Sequence, residues 1–406
     1  MKPKMIMFAV LVMCFSVYSQ FSRAEKIQSK SPSEMDRAVV KGNDAFAFSL
    51  YNQLSKESGN IVVSPYSVSQ VLALLYSGAG GETERQMKKV LHVTTSQTNY
   101  ISGISLITNR LKTGAKKSGL ELDSENALFI QTGLKIQPGF NNVAKIMMGA
   151  SVQPVDYRHG SLAKIKETIN TWARQQTRGK IRELIEPGML TRTNILMVVN
   201  AEYFRGNWAA QFNPRSTVRT NFYSNENSVI PVPMMKRMGR YRYSEDSRVQ
   251  CLELPYKGNR IVMLVLLPKQ RDGIGEMEKE LKEDMVAHYV AHFSTEEVEV
   301  NLPRFSIEYS QYLKDTLSQM GMPLAFIPTK ADFSGITSDT KIHLSQIIQK
   351  AGIQVDEKGT TAWAATGASM DSMPILFRAD HPFMFLIWDK DTGSILFMGR
   401  VSKPNG

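Results

Sequence analysis

The sequence predicts an α+β fold, with helices concentrated early in the chain and extensive mixed or antiparallel β-sheets later. Three observations indicate this class. Helical spacing of apolar residues dominates the first half, strand-like apolar runs dominate after Asn194, and no linker, repeat or low-complexity stretch divides the chain. The 406 residues are 42% hydrophobic and 21% charged, which is enough apolar material for one large core. We therefore place a single domain at residues 32–406.

Four amphipathic segments predict helices, because their apolar residues recur at helical spacing and glycine or proline marks several of their ends. They are residues 35–55, 66–77, 82–90 and 165–183. Apolar runs predict strands, and the continuous run at 195–200 is typical of a strand covered on both faces. The other predicted strands are 60–65, 122–129, 249–255, 260–267, 297–302 and 383–388.

The first 24 residues predict a secretory signal peptide rather than part of the fold. Two lysines precede an apolar run at residues 5–17, and small residues then allow cleavage after Ser19 or after Ala24. The run is too short to span a bilayer comfortably. We therefore expect a secreted, extracellular protein without a membrane partner.

Charge and motif content narrow the expected partners. The net charge of +11 falls to +8 when cleavage after Ala24 removes three basic residues, and a basic extracellular protein favours sulfated glycans over nucleic acid. Cys251 alone remains after cleavage, so no intrachain disulfide is expected. Neither enzyme motifs nor metal-ligand spacing occur, and we expect a monomer that is not an enzyme and uses no metal or cofactor.

A series of sequence blocks resembles the serpin family, in the family's order and over nearly the whole mature chain. The blocks lie at residues 60–65, 78–83, 169–181, 199–208, 232–235, 252–256, 302–305, 331–335, 381–383 and 396–400. The resemblance implies a serpin fold of three β-sheets, about eight or nine helices and an exposed reactive-centre loop at about residues 357–377. It also implies a suicide-substrate inhibitor of serine proteases, whose cleaved loop inserts into the main sheet and traps the acyl-enzyme.

Small side chains dominate the start of this loop, the hinge. The hinge residues that the resemblance implies are Glu357, Gly359, Thr360, Ala362, Ala364 and Ala365. Alternate residues of a strand point to opposite faces, so Thr360, Ala362 and Ala364 share one face. Their small size avoids overpacking as the strand enters the sheet, which costs about 1–3 kcal/mol per misfit. Trp363 departs from the family's alanine but falls on the opposite face.

The sequence does not determine which bond of the loop the protease cleaves. The family's count from Glu357 gives the bond between Met373 and Pro374, yet a bond before proline is a poor protease substrate. A serine after the cut and a proline two residues later favour cleavage after Asp371, and cleavage after Met370 or Ser372 remains an alternative. No arginine or lysine lies between Thr360 and Leu376, so we expect a chymotrypsin- or elastase-like secreted protease rather than a trypsin-like one.

Two further sites follow from the resemblance. Ser64, Ser67, Asn200 and Gln349 match the family's shutter, a hydrogen-bonded cluster where the main sheet opens. The family usually has histidine in place of Gln349, and an amide keeps the hydrogen bonds but loses the pH sensitivity. Arg110, Lys112, Lys116 and Lys117 form a basic cluster where related serpins bind heparin-like glycans, with a solvated charged face as the alternative.

The runner-up function is that of a non-inhibitory serpin, serving as a carrier, chaperone or storage protein. The small hinge residues favour inhibition. Trp363, Pro374 and a loop slightly short for the family favour the alternative.

Overall fold

Nine α-helices and fourteen β-strands are present in the residues that the computed structural model describes, which are 34–118, 120–225, 228–358 and 373–405. For residues 34–36, 116–118, 123 and 225 the description covers the backbone alone. The predicted α+β class and helix number are confirmed. The predicted signal peptide, with cleavage positions Ser19 and Ala24, lies outside the described residues.

The helices are α1 Glu34–Leu54, α2 Pro65–Ser77, α3 Gly81–Val90, α4 Gln97–Ser118, α5 Pro138–Asn142, α6 Leu162–Gln176, α7 Ile274–Glu280, α8 Glu283–Ala291 and α9 Leu313–Met320. The strands are β1 Ile61–Val63, β2 Glu121–Gln131, β3 Ser151–Val155, β4 Leu196–Arg205, β5 Val218–Asn225, β6 Ser228–Glu245, β7 Val249–Pro255, β8 Ile261–Pro268, β9 Ser294–Pro303, β10 Phe305–Tyr312, β11 Leu344–Val355, β12 Ile375–Arg378, β13 Phe383–Asp389 and β14 Ser394–Val401. None of the described helices is both long enough and apolar enough to cross a membrane.

The five-stranded sheet, called the main sheet below, has the order β10-β11-β4-β2-β3. Its two central strands, β11 and β4, are parallel and directly hydrogen-bonded, whereas β10 and β2 are antiparallel to them. Side chains of β4 alternate between two faces. Val198 and Phe204 lie in the core that contains α2, and Val199 lies in a second core under α6.

The remaining nine strands form one continuous sheet, where the resemblance implies two. The cause is β6, an 18-residue strand that pairs with β5 and β9 and then, from Arg242 to Glu245, with β7. Because the chain does not break between these partners, hydrogen bonding joins the second and third expected sheets.

The helix over the main sheet is shorter than predicted. It ends at Gln176 instead of continuing to residue 183, since Arg178 and Gly179 take left-handed φ angles of 51° and 79°. Below it, Asn170 Oδ1 accepts hydrogen bonds from the backbone N–H groups of Leu184 and Ile185, at 2.9 and 2.8 Å. The covering segment therefore crosses the sheet as an ordered loop.

Helix α4 is an element that the sequence prediction missed. Its buried residues Tyr100, Ile104, Ile107, Leu111 and Ala115 recur at helical spacing, which was the available signal. The helix places the predicted basic cluster on its last nine residues, about two and a half turns.

Candidate functional site

The candidate site is the central pair of the main sheet together with the loop that leaves β11. The β4–β11 ladder runs from Leu196 and Leu344 to Arg205 and Gln354. No strand of the described chain separates the two, so the sheet is closed. Of the predicted hinge, Glu357 is described. Gly359, Thr360, Ala362, Ala364 and Ala365 lie outside the described residues, as do Met370, Asp371 and Ser372.

The structure brings the four predicted shutter residues into one hydrogen-bonded cluster. Gln349 Nε2 donates to Asn200 Oδ1 at 2.9 Å and to the Ser64 carbonyl at 3.0 Å, and Gln349 Oε1 accepts from the Ser64 N–H at 3.1 Å. Asn200 Nδ2 donates to Ser67 Oγ and to Asn126 Oδ1. The cluster therefore joins β11, β4 and β2 to the start of α2.

The beginning of α2 explains why two serines reach this cluster. Ser64 is the N-cap, and its Oγ accepts from the Ser67 N–H at 3.2 Å while donating to the Leu396 carbonyl at 2.7 Å. Pro65 follows at the first helical position, where its fixed φ suits the helix. Ser64 and Ser67 are both fully buried, so neither hydroxyl is exposed to bulk solvent.

Glu202 is a buried acid in the same region that the sequence analysis did not identify. It lies on the same face of β4 as Asn200, is 1% exposed, and leaves Oε2 without a hydrogen-bond partner. Burial raises the pKa of Glu202 to about 8, against a smaller lowering by hydrogen bonds with Ser64 and Ser67. Its carboxyl therefore favours the protonated form near neutral pH.

The hinge residue Glu357 is anchored beyond the end of β11. Its Oε1 accepts from Arg304 Nη2 at 2.5 Å and from Thr217 Oγ1 at 2.7 Å, and the residue is 6% exposed. Burial raises the pKa of Glu357, but the bonds from Arg304 and Thr217 more than offset it, so the pKa lies below its ordinary value. These contacts hold the start of the loop beside β9 and β10.

A second anchor secures the residue before it. The Arg205 guanidinium pairs with the Asp356 carboxylate at 2.9 Å, and Trp208 Nε1 donates to the Asp356 carbonyl at 2.8 Å. Trp208 stacks on Tyr256 with ring centroids 4.5 Å apart. The end of β4 and the exit of β11 are thus fixed to one another.

The other end of the loop enters β12. Met373 is 94% exposed and Pro374 is exposed, whereas Ile375 already pairs with Val298 of β9. A single residue therefore separates the Met373–Pro374 bond from hydrogen-bonded sheet.

The geometry of α4 places the residues of the predicted basic cluster on different sides of the helix. Lys112 is exposed, and Lys116 is four positions further along the helix, hence on the same side. Arg110 is two positions before Lys112, about 200° around the axis, and is only partly exposed. The side chains of Lys116 and Lys117 lie outside the described part of the chain.

A family model described as serpin (serine protease inhibitor) matches residues 41–404. The chain is a serpin. The matched span includes the shutter cluster, both anchors and the loop, so the site belongs to the family's own framework.

Known proteins support this serpin assignment from sequence and from structure. The leukocyte elastase inhibitor of Homo sapiens is 35% identical, over 90% of this chain and 99% of the relative. An uncharacterized serpin-like protein of Thermococcus kodakarensis is 35% identical, over 91% of this chain and 86% of the relative. The crystal structure of uncleaved ovalbumin matches with a TM-score of 0.84 at 26% identity, covering 90% of this chain and 100% of that one. The predicted family and fold are confirmed.

Proposed function

We propose that this serpin inhibits a serine endopeptidase as a suicide substrate. The supporting observation is the direct parallel pairing of β4 with β11, with the loop leaving the end of β11. A loop segment that reverses direction after β11 and inserts between β4 and β11 runs antiparallel to both strands. One parallel ladder would then be replaced by two antiparallel ladders, so insertion adds a ladder of hydrogen bonds and removes the slightly weaker parallel pairing, which favours the inserted form.

The reaction couples this insertion to covalent trapping. The protease serine attacks the carbonyl carbon of the cleaved residue, the amide bond breaks, and the new amine leaves with the segment that enters β12. The acyl-enzyme ester remains on the hinge side. Insertion then carries the protease along the main sheet and distorts its active site before water hydrolyses the ester. Glu357 and Asp356, held by their anchors, form the pivot.

The cut is proposed to lie on the N-terminal side of Met373, after Met370, Asp371 or Ser372. A protease needs an extended, accessible chain on both sides of the bond. After Met373 the accessible chain consists of Pro374 alone before β12 begins, and the proline ring adds its own restriction.

The proposed target is a chymotrypsin- or elastase-like secreted protease, and the protein itself is proposed to be secreted. Support for the target is the lack of a basic residue in the loop and the name of the human leukocyte elastase inhibitor among its relatives. Support for secretion is the charged and apolar pattern of residues 1–24.

Mixing the mature protein with chymotrypsin, elastase and trypsin tests the proposal. We expect an SDS-stable protease–serpin band with chymotrypsin or elastase and none with trypsin. Pretreating the protease with a serine-directed covalent inhibitor removes the band if the catalytic serine forms the ester. Cleavage without a complex by every protease would instead favour the carrier, chaperone or storage function.

A heparin-like glycan is proposed as a second partner at Lys112 and Lys116, which lie four positions apart on one side of α4, together with Lys117, which follows Lys116 in the chain. The triple alanine variant should elute from immobilised heparin at lower NaCl than wild type, because exposed ion pairs are screened by salt. A matched variant removes three exposed lysines elsewhere: Lys257→Ala, Lys279→Ala and Lys282→Ala. Equal shifts in both variants would indicate a general effect of net charge and overturn the site.

A further inference from the structure

Glu202 lies on β4 at a position where the charge of its carboxyl and the opening of the main sheet should depend on each other. It pairs with Ala351 of β11 on one side and with Ser124 of β2 on the other. Its side chain points into the core, next to Ser64 and Ser67 of α2. Strands β4 and β11, which must separate for insertion, therefore also help to enclose the Glu202 carboxyl.

Within the part of the chain that the structure describes, the groups that face Glu202 carry no positive charge that could compensate its carboxylate. They are Asn200 and Phe204 on β4, Ser124 on β2, Gln349 and Ala351 on β11, and Ser64, Ser67 and Tyr66 on α2. Glu125 and Lys350 both align with Ala201, whose side chain belongs to the opposite face under α6.

Tyr66 is the ionisable group among them, and burial raises its pKa further above the usual tyrosine range, with Glu202 adding to the rise. Asp389, which also acts on Tyr66, is held by Arg260 at 2.6 Å. Tyr66 therefore does not lose a proton in place of Glu202 near neutral pH.

We propose that Glu202 is a proton-controlled lock on the opening of the main sheet. The protonated Glu202 carboxyl is uncharged and is therefore compatible with burial in the closed sheet. Loss of the proton leaves a carboxylate buried without a cation, a state that is strongly unfavourable. Separating β4 from β11 removes the Ala351 side of the enclosure and admits water, so the open sheet accommodates the charge better. The proposal rests on the insertion mechanism proposed above.

The direction of the pH effect follows from proton binding. The closed sheet binds the Glu202 proton more tightly than the open sheet does, so a rise in pH favours opening. Because burial raises the pKa of Glu202 to about 8 in the closed form, the effect grows up to about that pH and then levels off. Because a single proton is involved, the equilibrium constant for opening of the sheet can change by at most about tenfold per pH unit.

Uptake of a free peptide isolates sheet opening from protease chemistry. The probe is a synthetic peptide with the sequence of residues 360–370, and the readout is the rate of its incorporation, seen as a gain in Tm and a shift on native gels. For wild type we expect a several-fold faster rate at pH 8 than at pH 6. Glu202→Gln, which keeps the size and removes the titration, should have a flat profile. Glu202→Leu serves the same purpose if the glutamine variant fails to fold.

Glu308→Gln is the matched control, because Glu308 is an exposed acid on β10 of the same sheet, and it should keep the wild-type profile. Infrared difference spectra add a direct readout: the band of protonated carboxyls at pH 6.5 should be weaker in Glu202→Gln than in wild type, with buried Asp44, whose pKa is also raised by burial, contributing equally to both. A wild-type pH profile in Glu202→Gln overturns the Glu202 lock and leaves the inhibitor function standing. No uptake by wild type at any pH overturns both.

Discussion

Gln349 and Asn200 lie opposite each other in the β11–β4 ladder, and Gln349 Nε2 donates a 2.9 Å hydrogen bond to Asn200 Oδ1. The same side chain makes two hydrogen bonds to the backbone of Ser64. The sheet cannot open between these strands without breaking the Gln349–Asn200 bond. An amide can thus take over the hydrogen-bonding role of the family's histidine while remaining uncharged at all ordinary pH values.

Replacing Gln349 by alanine should weaken the closed sheet. The change leaves Asn200 Oδ1 and the Ser64 N–H buried without their partner, and each such group costs about 1–3 kcal/mol. The two groups together should lower the free energy of unfolding by about 2–6 kcal/mol, and uptake of the loop peptide should be faster. Urea denaturation measures the first effect. Gln176→Ala, at an exposed position of α6, is the control and should change stability by less than about 0.5 kcal/mol.

The shutter could be predicted from the sequence because Ser64, Ser67 and Asn200 lie in or next to blocks that resemble the family, and Gln349 lies eight residues before the hinge residue Glu357. Glu202 lies in one of the same blocks, and the run at 195–200 correctly predicted a strand buried on both faces. The pattern indicates that position 202 points inward, but it does not show whether a cation accompanies the carboxyl. That depends on β11 and α2, which are distant in sequence and meet only in the fold.

The anchors of the hinge illustrate the same limit. Glu357 was predicted from its place in the loop, whereas its partners Arg304 and Thr217 lie 53 and 140 residues away. Local periodicity carries no information about contacts at that separation. The early end of α6 was missed for a local reason: a non-glycine residue, Arg178, takes a left-handed φ, which residue preferences disfavour.

Replacing Arg304 by methionine should loosen the hinge in a pH-dependent manner. The folded-state pKa of Glu357 lies below its ordinary value, so the stabilisation is present above the usual carboxyl range and is lost as pH falls through the folded-state pKa. At pH 7 we expect a loss of about 1–3 kcal/mol, because a nearly buried carboxylate loses a charged donor. The difference between the variant and wild type should narrow as the pH falls below the usual carboxyl range and disappear below the folded-state pKa of Glu357.

Urea denaturation at pH 7 and pH 3.5 measures this difference. Arg85→Met is the matched control, since its ion pair with Glu82 is exposed and contributes at most about 1 kcal/mol. A loss that stays the same at both pH values would show that Arg304 acts through packing and not through the charge of Glu357.

A charge on the inner face of the hinge should turn the inhibitor into a substrate. Alternation along a strand predicts that Ala362 faces the core after insertion and Thr361 faces away from it. Ala362→Arg would bury an unpaired guanidinium, so insertion should be slower than hydrolysis of the acyl-enzyme. We expect cleaved monomer and little SDS-stable complex. Thr361→Arg introduces the same charge one residue away and should keep most of the complex. Equal behaviour of the two variants would contradict the register.

Mass spectrometry of the peptide released by denaturing the complex should place the cut before Met373. The reason is the distance to the sheet: Ile375 is already paired with Val298, which leaves Pro374 as the only free residue after Met373. The released C-terminal fragment should therefore begin at Asp371, Ser372 or Met373. Met373→Ala should leave the cut position unchanged, while Pro374→Ala should not move it to the bond after residue 373. A fragment that begins at Pro374 in wild type would show that the family's count from Glu357 sets the cut despite the proline.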